Sequence, residues 1–421
     1  MTVNKTNLPV LAALCGLLFL PARVYAATAE DSKIFTPYFN MSLAESLYVP
    51  SEGDFFSGGM INTQVGLLSK VAKNHNIFGL YNFKYLGPAF QPQDGKQFTE
   101  RSLDHSFSFE YRWQLSERLR LRPAYAKTTG YRRNGVNEAW DNGLYNMNSQ
   151  GGQVAVDYLF GLLGKNGTLT AQYLSRSLEF PNYTDLLREF QQAGSASELS
   201  GGLQNQRLRQ WALRAYWSNF TAGASISTMK YQNQTVVENS GEYGATKQED
   251  KSSTLDFGFN HRLWIFEAAP NMSYTIFDSN QNFLRFKYFG AAWDASTLGN
   301  GDSDVTFIRN AYSFREFTFD LPLFINMGMN SKWAISGGWS VTHRVYRDRP
   351  PRDSDNNYQM GQKQDNTLTK FYAGFRKHMN EIADLSLTYT FIVASSNNKF
   401  EKYLPYNYTG QALGLAYNLT F

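Results

Sequence analysis

From residue 33 to residue 421 one pattern repeats: stretches of ten or more residues in which apolar and polar side chains alternate. In the last stretch Leu413, Leu415, Tyr417, Leu419 and Phe421 form one face, and Ala412, Gly414, Ala416, Asn418 and Thr420 the other. Leu385, Leu387, Tyr389, Phe391 and Val393 alternate in the same way with Asp384, Ser386, Thr388 and Thr390. Further upstream Leu103, His105, Phe107, Phe109, Tyr111, Trp113 and Leu115 interleave with Asp104, Ser106, Ser108, Glu110, Arg112 and Gln114. A period of two puts successive side chains on opposite sides of an extended chain. Each stretch therefore predicts a strand with a greasy and a wet face. Strands this long, aromatic and numerous are hard to house in a soluble sandwich; they fit a closed barrel with lipid outside and water inside.

The connections carry a second signal, because short and long ones take turns. The short ones are 73–76, 116–118, 163–167, 218–219, 266–269, 328–331 and 380–383; the long ones run near 49–57, 87–100, 132–148, 181–204, 238–250, 280–311, 348–366 and 397–406. Short turns at one rim and long loops at the other are the habit of outer-membrane barrels. Seven short and eight long connections predict sixteen antiparallel strands, with both ends of the barrel chain at the short-turn rim. An even count leaves no unpaired edge in hydrocarbon. The predicted strands are 34–48, 58–72, 77–87, 101–115, 119–131, 149–162, 168–180, 205–217, 220–237, 251–265, 270–279, 312–327, 332–347, 367–379, 384–396 and 407–421. Residues 282–293 and 304–309 form the alternative of eighteen strands; the preferred reading makes 280–311 the largest outer loop. Pro37, Pro123, Pro270 and Pro322 fall inside predicted strands. Since proline cannot donate to a ladder, strand ends or bulges are expected there.

The first residues look different. Lys5, an apolar run over 8–20, and Val24-Tyr25-Ala26 before Ala27 predict a removable signal peptide at 1–26 and a barrel over 27–421. Cys15 is the only cysteine and lies in that leader, so the mature chain is expected to hold no disulfide or thiolate site. Without Lys5 and Arg23 the balance is two positive charges, which gives no reason to expect a nucleic-acid partner. Aromatic residues make up 16% and mean hydropathy is −0.43, with no second long apolar run of the kind a helical membrane protein needs.

With one face assigned to lipid, the other lines the lumen. It carries Lys84, Arg112, Arg120, Arg122, Arg176, Arg214, Arg262, Arg344 and Arg376, together with Asp104, Glu110, Asp157, Asp256, Glu316, Asp320 and Asp384. A charge facing lipid at mid-depth costs about 2–4 kcal/mol, so water is the consistent home. A ring of arginine and lysine favours anions in a pore; the competing reading is a wall of mutually neutralising pairs. Arg120 and Arg122, on one face, are the leading candidates. Trp113, Tyr158, Trp217, Trp333 and Tyr417 suit interfacial girdles. Thr184 can cap and Gly194 can end a short helix in the fourth long loop, on the outer surface or folded inward. Asp353-x-Asp355-x-Asn357 spaces oxygens as a calcium loop does, but Tyr358 and Gln364 replace the glycine and glutamate that geometry demands. His75, His105, His261, His343 and His378 are scattered without metal-ligand spacing, and no Gly-x-Ser-x-Gly elbow or Walker loop is present. No cofactor, metal or catalytic site is expected.

The leader, the alternating strands, the connection pattern and the terminal Tyr417-x-Leu419-x-Phe421 resemble bacterial outer-membrane porins and related barrels. The third long loop, 132–148, lacks the constriction motif of the well-known trimeric porins. The resemblance implies an outer-membrane location in a Gram-negative cell, contact with outer-membrane lipids and lipopolysaccharide, and recognition of Phe421 by the barrel-assembly machinery. It also implies passive diffusion of small hydrophilic solutes, with anionic or sugar-like ones suggested by the cationic excess. The rival readings are an export or assembly barrel with a periplasmic partner, and a structural or adhesive surface barrel.

Overall fold

The computed structural model describes residues 34–51, 56–87, 100–133, 138–184, 201–286, 305–327, 332–401 and 406–421. The expected leader and the core of the expected loop helix lie outside the described residues. The strands are β1 (Phe35–Pro50), β2 (Phe56–Ala72), β3 (His75–Gly87), β4 (Arg101–Gln114), β5 (Leu119–Arg133), β6 (Met147–Leu162), β7 (Lys165–Glu179), β8 (Gln206–Trp217), β9 (Phe220–Val237) and β10 (Tyr243–Phe259). They continue as β11 (His261–Leu263), β12 (Phe266–Ala268), β13 (Asn271–Ser279), β14 (Phe283–Phe286), β15 (Val305–Ile308), β16 (Phe314–Asn326), β17 (Trp333–Tyr346), β18 (Asp365–His378), β19 (Ala383–Ser396) and β20 (Tyr408–Thr420). β10 and β11 form one wall strand with a break at Asn260, and β12 and β13 form another with a break at Ala269 and Pro270. The wall is thus a closed antiparallel barrel of sixteen strands.

Closure is made by the first and last strands. β1 pairs with β20 from Asn40↔Thr420 to Pro50↔Gly410. Beyond that ladder, Phe39 N–H donates to the Phe421 carbonyl at 2.8 Å and Phe421 N–H returns the bond at 3.0 Å. Their rings stack with centroids 4.9 Å apart. The eighteen-strand alternative resolves simply: β14 pairs only with β15, as a separate ribbon above the wall.

The two faces follow the period of two. Leu43, Leu67, Phe107, Val154, Leu213, Leu255, Phe317, Phe371, Leu387 and Leu415 are exposed, while intervening charged residues are partly buried against one another. Side chains inside a cylinder shield one another and those outside do not, so the apolar set faces out. Trp113, Tyr158, Trp217, Trp333 and Tyr417 all sit at the short-turn end of their strands, the place of one interfacial girdle.

Several boundaries differ from expectation. The turn expected at 266–269 falls at Trp264 and Ile265, between β11 and β12, with Trp264 at φ 57°. Residues 243–250, expected in a loop, extend β10 outward against β9. Pro37 is the third residue of β1, ahead of the start of the β1–β20 ladder at Asn40, while Pro322 pairs with Gly338 on one side and faces the β12–β13 break on the other. Pro270 lies at the β12–β13 break. At Pro123 the β4–β5 ladder is interrupted: it runs to Glu110↔Ala124 and resumes at Trp113↔Leu121.

Candidate channel lining

The interruption at Pro123 lies beside the densest charge cluster of the inner wall. β5 presents Arg120 and Arg122 on one face, β6 presents Asp157, and β4 presents Glu110 and Arg112. Arg120 approaches Asp157 at 2.7 Å and Arg122 approaches it at 2.8 Å. Arg122 also reaches Glu110 at 3.1 Å, and Arg112 contacts Glu110 at 2.5 Å. Thr170 of β7 donates its hydroxyl to Asp157 at 2.8 Å. The Asp157 side chain is only 1% exposed, so the acid is fully enclosed by its partners. The pair that sequence singled out is therefore engaged rather than free. Three guanidiniums against two carboxylates leave the cluster one positive charge.

The remaining candidates are spread around the wall. Arg214 faces Asp256 at 3.9 Å across the width of β9, and a Cβ at the intervening Gly223 would collide with the Asp256 carboxylate. Glycine makes that approach possible. Arg344 binds Glu316 at 2.6 Å and lies 4.2 Å over the Phe314 ring. Asp320 accepts a 3.3 Å hydrogen bond from the Tyr372 hydroxyl, passing over Gly338. Lys84 stands opposite Asp104 in register, yet Asp104 bonds Arg132 at 2.6 Å instead. Arg176, opposite Gly151 and Leu208, has a buried Nε without a partner among the described residues. Arg376 is exposed near the short-turn rim. Arg262 lies on β11 at the short-turn end of its wall strand, exposed and opposite Glu267, with its Nε 3.4 Å from the Trp264 carbonyl.

Three features were not anticipated. Arg132 and Thr170 complete charge contacts that neither residue type advertises alone. More significant is an apolar cluster on the inner side of the outer half. Leu174, Leu178 and Leu208, with Phe180, form a buried core against which Met147, Tyr183 and Met229 pack. Phe180 and Tyr183 are the first residues of the β7–β8 connection, which therefore turns in over the lumen wall at its start. The signal in sequence was a leucine at 174, 178 and 208, each on the wet phase of its strand.

Elsewhere, Asp353 accepts from the Asn357 backbone N–H at 2.8 Å and the loop is closed by an Arg352↔Tyr358 bridge. That carboxylate is engaged by its own turn. His378 contacts Asp384, and neither makes another side-chain hydrogen bond among the described residues.

No family model matches the chain, and no curated protein does. Solved barrels overlap it loosely. The in-vitro folded outer membrane protein OmpT of Vibrio cholerae matches at 10% identity and a TM-score of 0.45, over 94% of this chain and all of that one. OccK1 (OpdK) of Pseudomonas aeruginosa matches at 9% and 0.43, over 91% and 99%. CdiB from Acinetobacter baumannii matches at 12% and 0.47, over 91% of this chain and 60% of that one. The overlap is one of barrel architecture and does not choose a role.

Proposed function

We propose that the chain forms a passive channel in a bacterial outer membrane for small hydrophilic solutes. The carrying observation is a closed sixteen-stranded wall that is apolar outside and ion-paired inside. Sixteen strands leave an aqueous interior in barrels of this class, and charged side chains on the inner face need water or partners there. The one-charge excess at Arg112, Arg120 and Arg122 over Glu110 and Asp157 favours anions mildly, through their attraction to guanidinium groups. Anionic and hydroxylated solutes are the classes this wall suits. Phe421, locked to Phe39 at the seam, is the position at which assembly machinery would meet the last strand.

Planar-bilayer recording of the refolded protein tests the reading. Discrete conductance steps that scale with salt are expected; a sealed membrane at high protein load would overturn it. In a salt gradient, the wild type should show a reversal potential on the anion side. Arg120→Ala should move that potential toward cations, because Arg122 still holds Asp157 in place.

A further inference from the structure

On β8 the outward face turns from apolar to cationic on the way from the short-turn rim to the long-loop rim. Trp211, Leu213 and Ala215 face out, and the next two outward positions above them are Arg209 and Arg207, with Leu208 facing in. The registers show what these arginines meet. Arg207 stands opposite Lys230 of β9, and Lys230 opposite Glu249 of β10. Two residues lower, Arg209 stands opposite Thr228, and Thr228 opposite Lys251. Four cations and one acid thus occupy two rows across three strands, an area of about 10 Å by 7 Å from ordinary strand spacings.

Glu249 serves only one side of the patch, at 3.3 Å from Lys230 and 3.1 Å from Lys251. The lysine side chains remain 66% and 64% exposed. Arg207 and Arg209 are exposed and make no ion pair among the described residues. Like charges directly opposite on neighbouring strands repel, so the Arg207–Lys230 pair favours an anion between them. Immediately below comes the row Trp211, Ile226 and Ser253, then Leu213, Ala224 and Leu255. Trp211, Ile226 and Leu255 are 66%, 61% and 62% exposed. The patch therefore sits where the apolar belt ends, at the long-loop rim, and faces away from the lumen.

We infer that this patch on β8, β9 and β10 binds the phosphate groups of a phosphorylated glycolipid in the surrounding outer leaflet. A soluble anion would be drawn to the lumen, whereas an outward patch flush with a greasy wall fits a molecule that has both acyl chains and phosphates. The chains lie along Trp211, Ile226 and Leu213 while the phosphates bridge Arg207, Arg209, Lys230 and Lys251. Arginine matches phosphate with a two-pronged hydrogen bond, and the two rows give room for two phosphates. The inference rests on the outer-membrane reading above.

The test uses the refolded full barrel in phosphatidylcholine vesicles containing bisphosphorylated lipid A, followed by extraction in mild detergent and native mass spectrometry of retained lipid. Wild type should carry lipid A through extraction, and R207Q/R209Q should lose it by tenfold or more. K127Q, a single outward cation between Phe107 and Gln150, should retain it. Heat-dependent gel migration confirms folding of each variant. Equal retention by wild type and by R207Q/R209Q/K230Q/K251Q would overturn the inference, as would equal replacement of lipid A by phosphatidylglycerol. The two readings fail separately: variants that insert and conduct but show unchanged lipid retention sink only the patch, whereas a wild type that never conducts sinks the channel.

Discussion

Asp157 is the residue on which the inner wall turns, because one enclosed carboxylate answers two arginines and a threonine. Removing one member of a buried charge set is worse than never having built it, since the remaining charges lose their partner. Asp157→Asn keeps the shape and deletes the charge. The arginines retain some contact with lumen water, so the loss is set at about 2 kcal/mol, below the 3–5 kcal/mol of a fully dry pair. Urea unfolding in detergent would measure it. The same substitution raises the cluster from one positive charge to two, so the reversal potential should move further toward anions; a shift toward cations would refute the assignment. In the last outer loop, Glu401 offers a residue-scale pH response. Burial pushes its carboxyl up, but the side chain and N–H of Asn407 and the N–H of Tyr406 outweigh this and hold it below the ordinary glutamate value. A depressed carboxyl contributes its loop contact above the unfolded value, near pH 4.3, and loses it as pH falls through the lower folded value. The Tyr406 and Asn407 amide resonances should therefore titrate together below pH 4.3, and Glu401→Gln should abolish that titration.

Among the elements, the β6–β7 hairpin shows a turn working against its own residues. Leu163 and Gly164 both have positive φ, 51° and 71°, the pair of values a two-residue hairpin of the I′ type requires. Glycine adopts this freely, but a leucine there is strained, and its side chain is 81% exposed with no packing in return. Leu163→Asn should stabilise the barrel by about 0.5–1 kcal/mol, since asparagine tolerates the left-handed region; a higher urea midpoint at constant slope is the expected readout. The positive-φ turns also explain where the sequence was legible and where it was not. The strands were readable because lipid and water impose opposite demands on alternate residues over ten or more positions, and that signal survives any local noise. The Trp264–Ile265 turn was hidden because both residues are apolar and none of the usual turn formers marks it, so the expected turn began two residues too late. The outward extension of β10 was hidden because 243–250, Tyr243 to Asp250, is polar on both faces once it rises beyond the apolar belt, so polarity there no longer distinguishes strand from loop. Candidate lining residues were found by phase alone, which located Arg120, Arg122 and Asp157 on one face, but phase cannot say which acid a given arginine meets. That requires the register between strands, as Lys84 shows by losing Asp104 to Arg132.

At the scale of the whole molecule, every functional statement depends on closure, because an open sheet has neither an inside nor a sealed apolar outside. The seam is the place to test it, since β1 and β20 are the strands farthest apart in the chain. Ser42 lies opposite Asn418, and the serine hydroxyl donates to the asparagine side-chain oxygen at 2.6 Å. Both sit on the wet face, where an aqueous oxidant reaches them, and directly paired positions fall within the Cα separation a disulfide accepts. Cys15, in the expected leader, is the only natural cysteine, so the variant with Ser42→Cys and Asn418→Cys starts from a clean background once that leader is gone. Oxidation of the folded protein should join 42 to 418 almost quantitatively within one chain, giving a looped species that migrates faster after boiling without reductant. Ser42→Cys combined with Gly414→Cys shifts one partner four residues along β20, roughly 13 Å at ordinary strand rise, and should not cross-link. Efficient joining of the shifted pair, or joining between chains rather than within one, would mean that the ends do not meet as the β1–β20 register requires. Because the inner charge cluster and the outer basic patch lie on strands far from this seam, a cross-linked barrel should keep its conductance unchanged, which separates closure as a structural fact from any role the seam itself plays in transport.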